Sequence, residues 1–197
     1  MYSENQDPAA YCKSYINYLT DLLQSLDFEA IASFIDKILK TRDHGSKILF
    51  IGNGGSAATA SHFANDISIG TREYERPFKA MSLSDNIAIL TAISNDDGYE
   101  EVFKKQLQVH LDKGDIVVAI SASGNSENLV RAIQYAKEKG NKTIGLLGFD
   151  GGKLKELCDQ FILIPTAQGE YGPVEDIHMI LDHMIGSYLF QYIQTKK

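Results

Sequence analysis

Cysteine is scarce in this 197-residue chain: only Cys12 and Cys158 occur, far apart and with no CxxC pair. That excludes a disulfide framework and predicts free thiols in a reducing compartment. Proline is nearly as rare, at four residues, and no Ser/Gly-rich stretch is longer than a loop, so no linker divides the chain. No apolar run approaches the ~18 residues of a membrane span. The opening Met1–Asp7 stretch is polar and acidic, which excludes an ordinary secretory leader. Basic residues are outnumbered, 19 Lys+Arg against 26 Asp+Glu for a net charge of −7. No Lys/Arg patch stands out, which argues against a nucleic-acid partner but leaves room for a small anion in a local site. What is present, 44% hydrophobic and 23% charged residues, supports one domain with a substantial core. The expectation is a cytoplasmic protein with no membrane and no nucleic-acid partner.

Two helical patterns open the chain. Tyr15, Ile16, Leu19, Leu22, Leu23 and Leu26 recur at three- and four-residue spacing, and Ile31, Phe34, Ile35, Ile38 and Leu39 repeat the period after a potential cap at Asp27. From residue 45 the rhythm changes. Short apolar runs occur at Lys47–Ile51, Lys79–Leu83, Ile116–Ile120, Thr143–Leu147 and Phe161–Ile164. Helical patterns separate them at Ala57–Ile69, Asn86–Ile93, Glu100–Leu111 and Ser126–Lys139, and a last one runs from about Glu175 to Gln194. Fully apolar strands alternating with helices predict an α/β fold: a three-layer α/β/α sandwich around a five-stranded parallel sheet. The expected strand order is 2-1-3-4-5.

Two strands run into similar loops. The first leads to Gly52-Asn53-Gly54-Gly55-Ser56, the third to Ser121-Ala122-Ser123-Gly124-Asn125-Ser126. In that order strands 1 and 3 are neighbours at the topological switch point, where ligands bind. Glycines admit a ligand close to the backbone, helix N-termini offer free N–H groups, and serine hydroxyls add donors. Ser56, Ser121, Ser123 and Ser126 therefore read as a phosphate cradle. No GK[ST] follows, so this is not a Walker A loop, and a small phosphorylated metabolite fits better. Other readings remain open here. Ser126 is also a plausible helix cap, and Gly52–Ala57 formally fits the dinucleotide pattern G-x-G-x-x-G/A with Asp85 as its ribose acid.

His62 and Asp66 are four apart and share a helix face. Such a pair is a metal half-site, an acid/base pair or a surface pair. The last helix carries Glu175, Asp176, His178, Asp182 and His183 among apolar residues. Glu175 and His183 are about 12 Å apart along a regular helix axis, too far to hold one metal. Either Glu175 lies in an irregular opening turn at Gly172-Pro173, or the two act from different subunits. His178 reads as a hydrogen-bonded interface histidine.

These segments together resemble the sugar isomerase (SIS) domain proteins, most closely the phosphoheptose isomerases. The resemblance is carried by GNGGSAATASHFAND (52–66), NDDGYEEVF (95–103), ISASGNSENLVRAI (120–133) and EDIHMILDH (175–183). It implies one SIS domain over residues 1–197, with helices 1–44 packing between subunits of a homotetramer and active sites where subunits meet. It also implies conversion of sedoheptulose 7-phosphate to an aldose heptose 7-phosphate through an enediol, as the first step toward an activated heptose for surface glycans. Phosphate contacts then fall on Ser56, Ser121, Ser123 and Ser126, beside Gly54, with Asn53 and Asp96 on sugar hydroxyls and Glu175 on the substrate. Asp66 becomes the base and His183 the second acid/base group. In zinc-containing members the Zn²⁺ ligands map to His62, Asp66, Glu175 and His183. Two positions depart from the family pattern: Asp66 replaces its glutamate and Glu175 its glutamine. Asp66 reaches about 1 Å less far, a displacement that can cost on the order of a hundredfold in rate. The alternatives are a non-catalytic sugar-phosphate-binding or replication-initiator-associating SIS regulator, and an isomerase of another ketose phosphate. The complete histidine and acid set favours an enzyme.

Overall fold

A computed structural model describes residues 6–196; of the polar opening stretch, residues 1–5 lie outside the described residues. The chain starts with two helices, α1 (Pro8–Gln24) and α2 (Phe28–Asp43). Aspartates cap both: Asp7 accepts from the Ala10 N–H at 2.8 Å and Asp27 from the Ala30 N–H at 2.9 Å, filling an acceptor role that free helix N-termini require. The α/β unit follows as β1 (Lys47–Gly52), α3 (Gly55–Asn65), β2 (Lys79–Ser82), α4 (Ile87–Asp96), α5 (Val102–His110), β3 (Ile116–Ser121), α6 (Glu127–Glu138), β4 (Lys142–Gly148), α7 (Gly152–Leu157), β5 (Gln160–Ile164) and α8 (Tyr171–Gln194).

Within the described residues the strands form one parallel sheet in the order β2-β1-β3-β4-β5, as expected. Side chains alternate across it. Ile48, Phe50, Val118 and Ile120 face one layer, where Phe34, Ile38, Phe63, Ile177, Leu181 and Ile185 of α2, α3 and α8 cover them. Leu49, Ile51, Val117 and Ala119 face the other, against Leu107, Ile133 and Leu154 of α5, α6 and α7. Phe50 and Phe63 stack with centroids 4.9 Å apart. Burying each such side chain contributes about 1.5–3 kcal/mol. Because Phe34 and Ile38 are fully buried against this sheet, one face of α2 belongs to the subunit's own core. Among the described residues no helix is long and apolar enough to cross a membrane.

Three elements differ from expectation. The helix read over Ala57–Ile69 is α3 only to Asn65 and then widens into a π-turn over Asp66–Gly70. A single extra residue per turn leaves the apolar spacing almost unchanged, so periodicity does not register it. The last helix begins at Tyr171, not near Glu175. Pro173 interrupts nothing there, since first-turn N–H groups have no intrahelical partner to lose. Glu175 is consequently in regular helix, not in an irregular opening turn. Finally, α7 was not expected; its six residues are too few to show a period.

Candidate active site

In the β1–β3 pairing Gly52 lies opposite Ile120, so the loops that follow leave the sheet side by side. Gly52 is required by close approach: a Cβ there would sit 2.5 Å from the Ser56 carbonyl oxygen. Gly124 has φ +63°, and its Cβ would run into the Gly151 carbonyl. Gly54, at φ 54°, caps α3 and accepts from Ala57 N–H at 3.1 Å. The loops enclose a cleft of about 140 Å³ lined by Asn53, Ser56, Ser121, Ala122, Ser123, Ser126, Leu129, Tyr171 and Glu175. Among the described residues no lysine or arginine lines it.

The cleft is preorganised. Ser121 Oγ accepts from Gly124 N–H at 3.0 Å, and Ser123 Oγ from Asn125 N–H at 3.3 Å. Each hydroxyl hydrogen is thereby left to donate outward. Ser126 is the N-cap of α6 but makes no side-chain cap bond, so the cap reading does not use up its hydroxyl. Asn53 and Asn128 exchange amide hydrogen bonds of 3.0 and 2.9 Å, and Tyr99 Oη donates to Asn53 Oδ1 at 2.8 Å. Convergent hydroxyls beside the N-termini of α3 and α6 suit a phosphate dianion.

A second polar group lies between α3 and α8. His62, in the last turn of α3, sits with its Nε2 3.5 Å from Asp66 Oδ1. Asp66 opens the π-turn. From α8 come Asp182 and His183, and the His62 and His183 rings meet edge to face at 5.0 Å. One donor atom from each of these four residues lies within 4.8 Å of the others. Asp182 is fully buried with neither carboxylate oxygen hydrogen-bonded. Burial, and then the Asp66 charge, push its pKa up to about 7. Two imidazoles and two carboxylates form a donor set that suits Zn²⁺ or acid/base work.

The expected site residues thus separate into two halves. Asn53, Ser56, Ser121, Ser123, Ser126 and Glu175 meet in the cleft, while His62, Asp66 and His183 meet in the cluster. Glu175 packs its carboxylate against Gly55, so within one subunit the His62, Asp66, Glu175 and His183 set is not assembled. Helix rise separates Glu175 from His183, as the spacing required. Asp96 stands apart from both halves, exposed at the end of α4, accepting from Asn95 Nδ2 at 2.8 Å. Asp85 accepts a hydrogen bond from Ser61 Oγ and does not line the cleft. His178 is no interface histidine. It is fully buried in its own subunit, neither ring nitrogen has a partner of normal geometry, and burial pushes its pKa down to about 4, opposed by the Leu147 backbone. Sequence reasoning missed Asp182, Asn128, Tyr99 and Tyr171 as site residues. For Asp182 a signal existed: a carboxylate at the same helix-face position as Ile185 and His178.

Comparison with known proteins agrees with this architecture. The family model described as SIS domain matches residues 10–148. The phosphoheptose isomerase of a Nitratiruptor species is 43% identical over 143 residues, 73% of this chain and 75% of its own length. That of Aneurinibacillus thermoaerophilus is 37% identical over 193 residues, 95% of this chain and 96% of its own length. A solved structure of the phosphoheptose isomerase from Neisseria gonorrhoeae superimposes with a TM-score of 0.80 at 32% identity, covering 92% of this chain and 95% of that one. The chain belongs to the SIS-domain family and, within it, to the phosphoheptose isomerases, and is an isomerase.

Proposed function

We propose that the protein interconverts sedoheptulose 7-phosphate and D-glycero-D-manno-heptose 7-phosphate through an enediol. The observation that carries this reading is the pairing of a lysine-free serine cleft at the start of α3 with a histidine–aspartate cluster at its far end. His62 lies six residues beyond Ser56, about 9 Å along the axis, a separation that suits a long sugar chain anchored by its far phosphate. The serines and the α3 and α6 N-termini hold the phosphate. Asp66 takes the proton from C1 and returns it to C2. His183 gives a proton to O2 and accepts one from O1, so the carbonyl moves without net change in atoms or electrons. Positioned acid/base groups of this kind contribute about 10²–10⁴-fold in rate.

The cluster suits one Zn²⁺ per site, held by His62, Asp66 and His183; when bound, it polarises the sugar oxygens as a Lewis acid. Asp96 serves the sugar hydroxyls in this reading. The protein works as a cytoplasmic homotetramer with helices 1–44 between subunits and each active site at a subunit boundary. Supporting this, α4 has no buried residue although it reads IAILTAI, and Ile87 is 75% exposed. Ile69, Met184 and Tyr188 are likewise exposed beside the cluster, an apolar surface of the kind that marks interaction sites. The product feeds synthesis of an activated heptose for surface glycans.

The test is NMR of the purified protein with sedoheptulose 7-phosphate. The expected result is growth of the aldose heptose 7-phosphate to equilibrium. Phosphate-dependent binding with no conversion of this or any other ketose phosphate would instead identify a sugar-phosphate sensor.

A further inference from the structure

Asp182 has no role in the reaction as derived, yet it is the most costly side chain in the cluster. It is fully buried on α8, and neither carboxylate oxygen finds a hydrogen-bond donor. A carboxylate in that position is retained against a solvation penalty unless a cation or donor completes it. Its neighbours aggravate the imbalance, because Asp66 is a second carboxylate and His62 and His183 are the other members of the group. Among the described residues neither acid is ion-paired with a lysine or arginine.

The backbone brings these groups together. The π-turn begins at Asp66, and such insertions re-aim side chains at functional sites. α8 packs against this turn at Gly186, where even a Cβ would be in ordinary contact with Asp66 Cβ at 3.5 Å. The donor atoms, within 4.8 Å of one another, are a small side-chain adjustment from the roughly 3.3 Å spacing that a tetrahedral Zn²⁺ imposes. His62 and His183 are exposed enough to make it. Glu175 is not in this group. It lies seven residues earlier, about 10 Å along α8, with its carboxylate against Gly55 in the serine cleft.

We propose that Asp182 is the fourth protein ligand of a divalent-metal centre that one subunit completes by itself with His62, Asp66 and His183, leaving Glu175 to the phosphate cleft. The inference rests on the isomerase reading for its choice of zinc; the donor set stands without it. Replacement of the family's glutamine by Glu175 then carries no consequence for metal charge, because the second carboxylate of the centre is Asp182.

The experiment is equilibrium binding of Zn²⁺ to the metal-stripped full-length protein against a chromophoric chelator, with the visible spectrum of the Co²⁺ form as a second readout. Wild type should bind one Zn²⁺ per subunit. Asp182→Asn and Asp182→Leu should each weaken binding at least tenfold, alter the Co²⁺ bands and abolish the zinc-induced rise in Tm. Glu175→Ala should bind within threefold of wild type. Asp182→Leu should also melt higher than wild type when both are metal-free, because it removes a buried unpaired carboxylate; this separates a lost ligand from a lost fold. The proposal is overturned if the Asp182 variants bind like wild type, if Glu175→Ala loses the metal, or if wild type binds none. Heptose phosphate conversion, assayed in parallel, reports on the isomerase reading alone. Conversion with an unaffected Asp182→Asn metal centre sinks only this inference, and the expected zinc pattern with no conversion sinks only that reading.

Discussion

The serine cleft, with hydroxyls from α3 and the β3–α6 loop, and the histidine–aspartate cluster, on α3 and α8, are built on opposite principles. In the cleft several polar groups are held in place before any ligand binds. Ser121 and Ser123 accept backbone N–H groups, and Asn53 is clamped by Asn128 and Tyr99. In the cluster Asp182 is buried and unsatisfied, and Asp66 adds a like charge. A satisfied network is rigid and ready before its ligand arrives. An unsatisfied one stores a demand for a proton or a cation. The difference matches the two tasks: a phosphate must be held in one place throughout, whereas the reacting end needs groups whose protonation changes.

That contrast can be broken most sharply at His183. Replacing it with Ala should lower kcat by roughly 10²–10⁴-fold while calorimetry shows sugar-phosphate affinity within a few-fold of wild type; a matching fall in affinity would mean the halves are not separate. A smaller effect is expected in the cleft. Ser121→Ala removes a charge-assisted hydrogen bond worth about 1.5–3 kcal/mol, so KM should rise on the order of ten- to a hundredfold with kcat little changed. Phe63→Ala probes the layer beneath both halves. It should destabilise the fold by about 3–5 kcal/mol in denaturant unfolding, without altering how the remaining folded protein partitions between kcat and KM.

His178 sharpens the comparison through pH. Its folded pKa of about 4 lies below the ordinary value of 6.5, so the unfolded chain binds the extra proton first as pH falls. Stability is therefore lost between about pH 6.5 and pH 4, by about 3 kcal/mol in the limit. His178→Leu should flatten that part of the Tm-against-pH curve relative to wild type; identical slopes would show the imidazole is solvated. The smallest effect belongs to Asp85→Asn, which touches only the hydrogen bond to Ser61. It should shift stability by less than about 0.5 kcal/mol and leave turnover intact.

The sheet was legible because β1 and β3 are buried on both faces and so read as unbroken apolar runs. The serine loops were legible because glycine and serine fall directly after those runs. The cluster was only half legible. His62 and Asp66 announce themselves by spacing, and His183 through the resemblance. Asp182 sits at a core position, and only the packing of α3 against α8 turns it from an oddity into a neighbour of Asp66. The π-turn was invisible because Phe63, Ala64 and Ile67 keep a helix-like spacing into it. Asp96 illustrates the converse: a motif placed it on the sugar, while the single subunit leaves it at the exposed end of α4.

The most direct test of the two-part site is Asp66→Asn with sedoheptulose 7-phosphate in D₂O, followed by NMR for deuterium at C1 and C2 and by calorimetry for binding. The account predicts binding close to wild type with deuterium exchange and aldose formation lost together. Exchange at the wild-type rate, or loss of binding in step with loss of exchange, would contradict it.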